Sequence, residues 1–174
     1  MPMLQQLSLT NFECYLEGST TLYSLCDIEM PSIEMETVDV KGAGIGGTYA
    51  APVPGNFDSF EIKMKHRLIS EDQAKIFRHN SISLACYGNQ EVIDPSTGSL
   101  NQQQVKILVS GIPKSYNLGT FEPSTALETE VTLEVWRLEL ILNGTTRLKI
   151  DKFNYIFEVD GIDEMQTIRR NLGR

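Results

Sequence analysis

The chain has 174 residues and a formal net charge of −8, with 41% apolar and 22% charged residues. That size suits one domain with a real core, and that composition excludes collagen-like and disordered chains. Its longest unbroken apolar run is only a few residues, against the roughly 18 to 20 needed to cross a bilayer, and the first ten residues lack a basic start, so neither a membrane span nor a secretory signal is expected.

The charge is unevenly placed. Residues 1–40 hold seven acids (Glu13, Glu17, Asp27, Glu29, Glu34, Glu36 and Asp39) and no Lys or Arg, which leaves the rest near neutral. A surface built from these acids would repel phosphate and attract a basic partner, or serve only solubility. Without clustered cations, DNA binding is disfavoured, because it depends on counterion release.

Period-two patterning dominates the chain, so it reads as mostly β with seven or eight strands. Residues 12–16 and 22–28 supply the first segments. Residues 42–55 then hold five glycines and two prolines without a charge and read as a long loop. Within it Gly42, Gly44 and Gly47 match the spacing of a dinucleotide-binding turn, with Glu61 downstream. Pro52 and Pro54 stand where the phosphate-facing helix would have to open, which rules that function out.

The clearest strand is 60–68, with Phe60, Ile62, Met64 and Leu68 on one face and Glu61, Lys63, Lys65 and Arg67 on the other. His66 falls on the apolar face and reads as a core or interface histidine. Residues 70–79 follow as a short helix, with Ser70 and Gln73 as a capping box, Ala74, Ile76 and Phe77 as its apolar side, and His79 at the negative end of the dipole.

Strands are expected over 81–92 and 103–111 around a turn at 94–99, followed by a pattern-poor loop over 113–125. Within the next strand, 131–142, the apolar parity changes from Val131, Leu133 and Val135 to Trp136, Leu138 and Leu140, predicting a bulge, a bend or a new packing partner near Val135. The hairpin into 146–159 is constrained by the same logic. A two-residue loop would set Leu138 against Lys149. A three-residue loop over Leu142, Asn143 and Gly144 instead sets Leu138 against Leu148, Trp136 against Ile150 and Glu139 against Arg147. A second helix is expected over 163–172, capped by Asp163, with Met165, Ile168 and Leu172 as its stripe, Arg169 and Arg170 near its end and Gly173 as terminator.

No catalytic residue, cofactor or metal site emerges. Two histidines and the scattered Cys14, Cys26 and Cys86 offer neither a zinc spacing nor a base beside a nucleophile, and the thiols read as reduced and buried. No feature selects a carboxylate pair for glycoside hydrolysis. Trp136 reads as core.

The C-terminal run 137–171 resembles the end of the major tail tube protein of contractile-tailed phages and phage-tail-like bacteriocins. The pattern there is Asn143-Gly144, Ile150-Asp151, Gly161-Ile162-Asp163, then Arg169-Arg170 with Gly173. Upstream, Leu16-Glu17-Gly18, Met30-Pro31-Ser32-Ile33 and Lys41-Gly42-Ala43-Gly44 with Gly47 follow the family's order and spacing. Arg174 departs from the usual apolar terminus, and residues 94–126 match poorly.

The resemblance implies one tail tube domain over 1–174, an antiparallel β-sandwich or barrel with a short flanking helix and a short C-terminal one. It implies homo-hexameric rings stacked into a hollow conduit inside a contractile sheath, assembled in the bacterial host cytoplasm. DNA would pass without specific binding, and the partners would be further copies, the sheath protein, and baseplate and tube-terminating proteins. Gly42, Gly44, Gly47, Pro52, Pro54, Asp163, Arg169 and Arg170 would serve contacts between subunits or rings. Glu29, Glu34, Glu36 and Asp39 would face the sheath or the lumen. The rival readings are a monomeric acidic β-sandwich that captures a basic protein, and a carboxylate hydrolase.

Overall fold

The computed structural model describes residues 5–16, 26–42, 44, 46–67, 69, 71–76, 78 and 80–174. Its strands in chain order are β1 (Gln5–Leu16), β2 (Cys26–Glu29), β3 (Met35–Val40), β4 (Tyr49–Phe57), β5 (Glu61–His66), β6 (Ile82–Ile93), β7 (Leu100–Asn117), β8 (Thr129–Leu142), β9 (Thr145–Asp151), β10 (Ile156–Val159) and β11 (Ile162–Asp163). Two short helices, α1 (Glu71–Ile76) and α2 (Gln166–Asn171), flank them. Nine strands form one antiparallel sheet along the path β1-β6-β7-β8-β9-β10-β11, with β5 added to β8 and β2 to β5, while β3 and β4 pair as a separate ribbon. The mainly β, antiparallel class expected from the period-two segments is the class observed.

The sheet forks at β8. One edge of that strand follows β7, while the other is shared, with residues 129–134 on β5 and residues 137–142 on β9. The division falls where the apolar parity changes. Gly111 faces Val135 and Ser110 faces Arg137, so Trp136 is the extra residue of a bulge. Both devices expected near Val135, a bulge and a new partner, are therefore present. Two hydrogen bonds bracket the fork: the Val135 N–H donates to the Phe60 carbonyl at 3.0 Å, and the Lys152 N–H to the Trp136 carbonyl at 2.9 Å. The bulge lets Val131, Leu133 and Val135 on one side and Leu138 on the other all reach the core, where they meet Phe60, Ile62 and Met64 of the β5 region, Leu84, Val109, Ile150 and Ile76 of α1.

Several expectations are corrected. The β8–β9 turn has two residues, not three: Leu142 faces Thr145 across Asn143 (φ 47°) and Gly144 (φ 78°), both left-handed as a type I′ turn requires. The parity conflict is resolved farther along. A register shift after Ile141↔Thr146 leaves Arg147 as the extra residue, so Leu140 faces Leu148, Glu139 faces Lys149 and Leu138 faces Ile150. The loops expected at 42–55 and 113–125 are partly strand, since β4 runs through Pro52 and Pro54 and β7 continues through Pro113 to Asn117. Proline is tolerated at both places because among the described residues β4 has only one partner strand, and Pro113 adjoins a second bulge.

Trp136 is half-buried rather than core, and its ring packs on the exposed Phe153 at 5.6 Å between centroids. Met165 is buried, but Ile168 and Leu172 are exposed, so α2 does not bury the stripe expected of it. Its Gly173 (φ 77°) does terminate it: the Gly173 N–H donates to the Arg170 carbonyl and the Arg174 N–H to the Arg169 carbonyl. In α1 Ile76 is buried, while Ala74 is exposed. Ser70, Phe77 and His79, the Gln73 side chain, and residues 22–25 of the second expected strand lie outside the described residues.

The cysteines give the largest correction. Cys14 and Cys86, 72 residues apart, face each other directly across β1 and β6 and form a disulfide, with a Cα–Cα distance of 4.2 Å. Chain spacing alone concealed this, because register across a sheet is set by topology.

Candidate assembly surfaces

Charged side chains around the core are mostly committed to partners within the chain. Glu139, itself buried, accepts from Arg137 at 2.9 Å and lies 3.3 Å from Lys149. Burial opposes its ionisation, yet these two cations hold its carboxyl below the usual range. Lys114 ion-pairs with Glu61 and reaches Glu134 at 3.3 Å, and both contacts raise its pKa. Lys152 crosses the Phe60 ring at 4.1 Å and donates to the Asp58 carbonyl at 2.8 Å, and burial lowers its pKa. Sequence patterning gave Glu61, Glu139 and Lys149 other roles but did not bring these groups together. Only the fork of β8 brings β5, β7 and the β9–β10 turn together.

The first surface is the ribbon of β3 and β4. Its root is fixed: the Asp58 N–H donates to the Glu34 carbonyl at 3.0 Å, and the Phe57 ring packs edge-on against Phe157 at 5.2 Å. Its outer half is bare, with Val38, Val40 and Tyr49 all exposed, as are Glu36 and Asp39. Gly42, Gly44 and Gly47 lie in the connection at its tip, where a Cβ on any of them would meet no atom within 4 Å. Pro52 and Pro54 lie on β4, and neither can donate a backbone hydrogen bond.

The second surface is the C-terminal corner. There the Asp163 carboxylate clamps the Arg169 guanidinium through two hydrogen bonds and takes the Met165 N–H at 3.0 Å, and Arg169 also donates to the Tyr155 carbonyl at 2.8 Å. Asp163 belongs to β11 and does not cap α2, whose N-cap position is Met165. The arginine pulls the Asp163 carboxyl down from its ordinary value, and the carboxylate pushes Arg169 up. Asp163 and Arg169 thus hold each other, while Arg170 is exposed, as are Ile162, Ile168 and Leu172.

The third is acidic. Glu29, Glu34, Asp58 and Glu61 line an open depression of about 320 Å³ with Lys63 as the cation among its lining residues. Glu29 also stands 3.6 Å from Lys65. Two of the four acids singled out from sequence therefore meet here, and Glu36 and Asp39 lie apart on the ribbon.

The fourth surface is an edge. Among the described residues β1 pairs only with β6, so the other side of this twelve-residue strand has no partner strand among them, and Leu9 and Phe12 are exposed along it. A strand edge of this length, regular from Asn11 to Leu16, is a template for pairing with another chain.

The chain is 24% identical to the tail tube protein of Escherichia phage P2 over 179 aligned positions that cover 99% of each chain. Its fold resembles the sheath/tube terminator of an extracellular contractile injection system in the extended state (TM-score 0.54, 13% identity, 78% of this chain and 95% of that one). It also resembles a chain of the sheath–tube complex of that system (TM-score 0.51, 14% identity, 78% and 90%). A family model for the phage tail tube protein FII matches residues 6–173. Carried on nearly its whole length, that match shows that the chain belongs to the phage tail tube protein FII family.

Proposed function

We propose that this chain is the repeating subunit of the inner tube of a contractile phage tail or tail-like particle. Homo-hexameric rings stack into a hollow conduit that is driven through the target envelope when the surrounding sheath contracts. The observation that carries this reading is the edge of β1 that has no second partner strand among the described residues. A cyclic assembly in which each sheet continues into the next subunit satisfies that edge through a heterologous contact that closes on itself.

Stacking is assigned to the ribbon. A Cβ added at its tip glycines would meet nothing within 4 Å among the described residues, and its exposed Val38, Val40 and Tyr49 suit an adjacent ring. Arg170 joins the same contacts, with Asp163 and Arg169 contributing by shaping the corner that carries it. The depression holding Glu29 and Glu34 docks a basic element of the sheath protein, and Glu36 and Asp39 extend that acidity along the ribbon. Baseplate and tube-terminating proteins would use the same ring faces. A wall without clustered cations lets DNA pass without specific binding. The subunit would be made in the host cytoplasm and end in the virion tail or tail-like particle.

Electron microscopy and light scattering of the purified protein test the proposal. Rings with six subunits, or tubes of stacked rings, are the expected result. A monomer at every concentration would reject it.

A further inference from the structure

We infer that Cys14 and Cys86 form a redox modification site, an oxidation-dependent staple that fastens the edge strand β1 to the sheet after the chain has left a reducing compartment. The site is prepared by the fold. The two residues are direct partners in the unbroken register from Phe12↔Gly88 to Leu16↔Leu84. Their Cα atoms are 4.2 Å apart, the narrow type of antiparallel pair, which brings the two Cβ atoms close. Cys14 is 2% exposed and Cys86 4%. The rest of β1 is held less regularly, because register shifts interrupt its pairing between Gln6 and Ser8 and between Leu9 and Asn11. The staple therefore sits where β1 has its longest continuous ladder, and it closes a loop of 72 residues.

As an edge strand, β1 gains from such a fastening. Among the described residues β6 is this strand's only partner strand, so local opening of β1 is opposed by one ladder alone. The purpose of the staple rests on the proposed function, in which β1 forms the seam between subunits and is loaded during injection. Assembly in a reducing compartment leaves two thiols and an adaptable edge, and release to an oxidising exterior locks it.

Both thiols are buried, so reaction requires local opening of β1, and Cys86, which borders an apolar groove of about 200 Å³ with Leu9, Phe12, Ile28 and Met30, is then placed to react first. With a low-molecular-weight disulfide such as oxidised glutathione as oxidant, the Cys86 thiolate attacks one glutathione sulfur and the first glutathione leaves as a thiol. The Cys14 thiolate then attacks Cys86 Sγ and expels the second glutathione. Two protein thiols are oxidised, one glutathione disulfide is reduced to two thiols, and the two protons end on the glutathiones.

The test compares the intact protein equilibrated anaerobically with reduced and with oxidised glutathione, then denatured, alkylated and weighed. Three alkylated cysteines are expected in the reduced sample and one, Cys26, in the oxidised sample, whose melting temperature rises by roughly 5–10 °C. The Cys14→Val/Cys86→Val variant is expected to lose that rise. Three alkylated cysteines after oxidation, or an equal rise in the variant, would overturn the inference. Should the variant fail to fold, the thiol count and melting shift of the unmodified protein decide the matter alone. Micrographs of both samples read the proposed function separately: tubes or rings in either support it, and none in both rejects it while the thiol count still decides the staple.

Discussion

The backbone of Gly111 runs against that of Glu134 at the fork of the sheet, so closely that a Cβ on Gly111 would lie 2.6 Å from the Glu134 carbonyl oxygen. The neighbour is backbone in the strand that carries the core, and cannot yield without moving Val135. Gly111→Val is therefore expected to cost about 2–3 kcal/mol and lower the melting temperature by roughly 5–10 °C. Gly42→Ala, where a Cβ meets open space, is the control and is expected to change stability by under about 0.5 kcal/mol. Chemical denaturation of the two variants measures the contrast.

His66 makes stability depend on mildly acidic pH. It is 2% exposed, and burial lowers its pKa from 6.5. The unfolded chain then binds a proton more readily than the folded one, so unfolding is favoured as pH falls below the unfolded value and the penalty is absent above it. Urea midpoints at pH 7.5 and pH 5.5 are expected to show a loss at the lower pH. His66→Gln is expected to flatten that difference, and an equal pH dependence in the variant would refute the assignment.

The clamp between Asp163 and Arg169 orders the C-terminal corner rather than the core. Asp163→Asn removes the charge and weakens both the Arg169 contacts and the Met165 N–H bond. Amide exchange in residues 166–171 is expected to accelerate severalfold, with protection in β6, β7 and β8 unchanged. In the unmodified protein the same loosening appears as pH falls through the lowered folded pKa of Asp163, since the stabilisation belongs to the ionised form.

At the ribbon tip, Gly44 has φ 102° and its surroundings are empty, so Gly44→Val meets backbone strain without a clash. The melting temperature is expected to fall by only a few degrees. Ring stacking seen by microscopy is expected to fail. Normal tubes from this variant would remove the ribbon tip from the stacking contact.

Reversing the acids of the depression with Glu29→Lys and Glu34→Lys is expected to weaken capture of a basic sheath segment at least tenfold in a pull-down titration, with ring formation intact. Insensitivity to both reversals would leave the acidic excess as solvation only.

Features set within a few residues were legible in the sequence. The turn at 94–99 forms as expected, with the Asp94 carboxylate taking the Ser96 N–H and Gly98 left-handed. Gly173 ends α2, and the alternation from Phe60 to Met64 gave β5 its buried face. The parity change at Val135 was equally readable, because a strand that stays in the core must compensate an odd residue somewhere. The repertoire of assembly residues was only partly readable: Glu29 and Glu34 are drawn into one depression, while Asp163 and Arg169 are drawn to each other.

Alternation along the chain determined by itself that the protein would be built from antiparallel strands, because period-two side chains need a sheet to bury one face. The tertiary structure alone decided which residues meet: that Arg147 rather than the turn absorbs the odd residue, that prolines lie within strands, and that Cys14 faces Cys86. Those outcomes depend on register between segments tens of residues apart, where the burial of the whole core, and no local preference, selects one alignment over its neighbours.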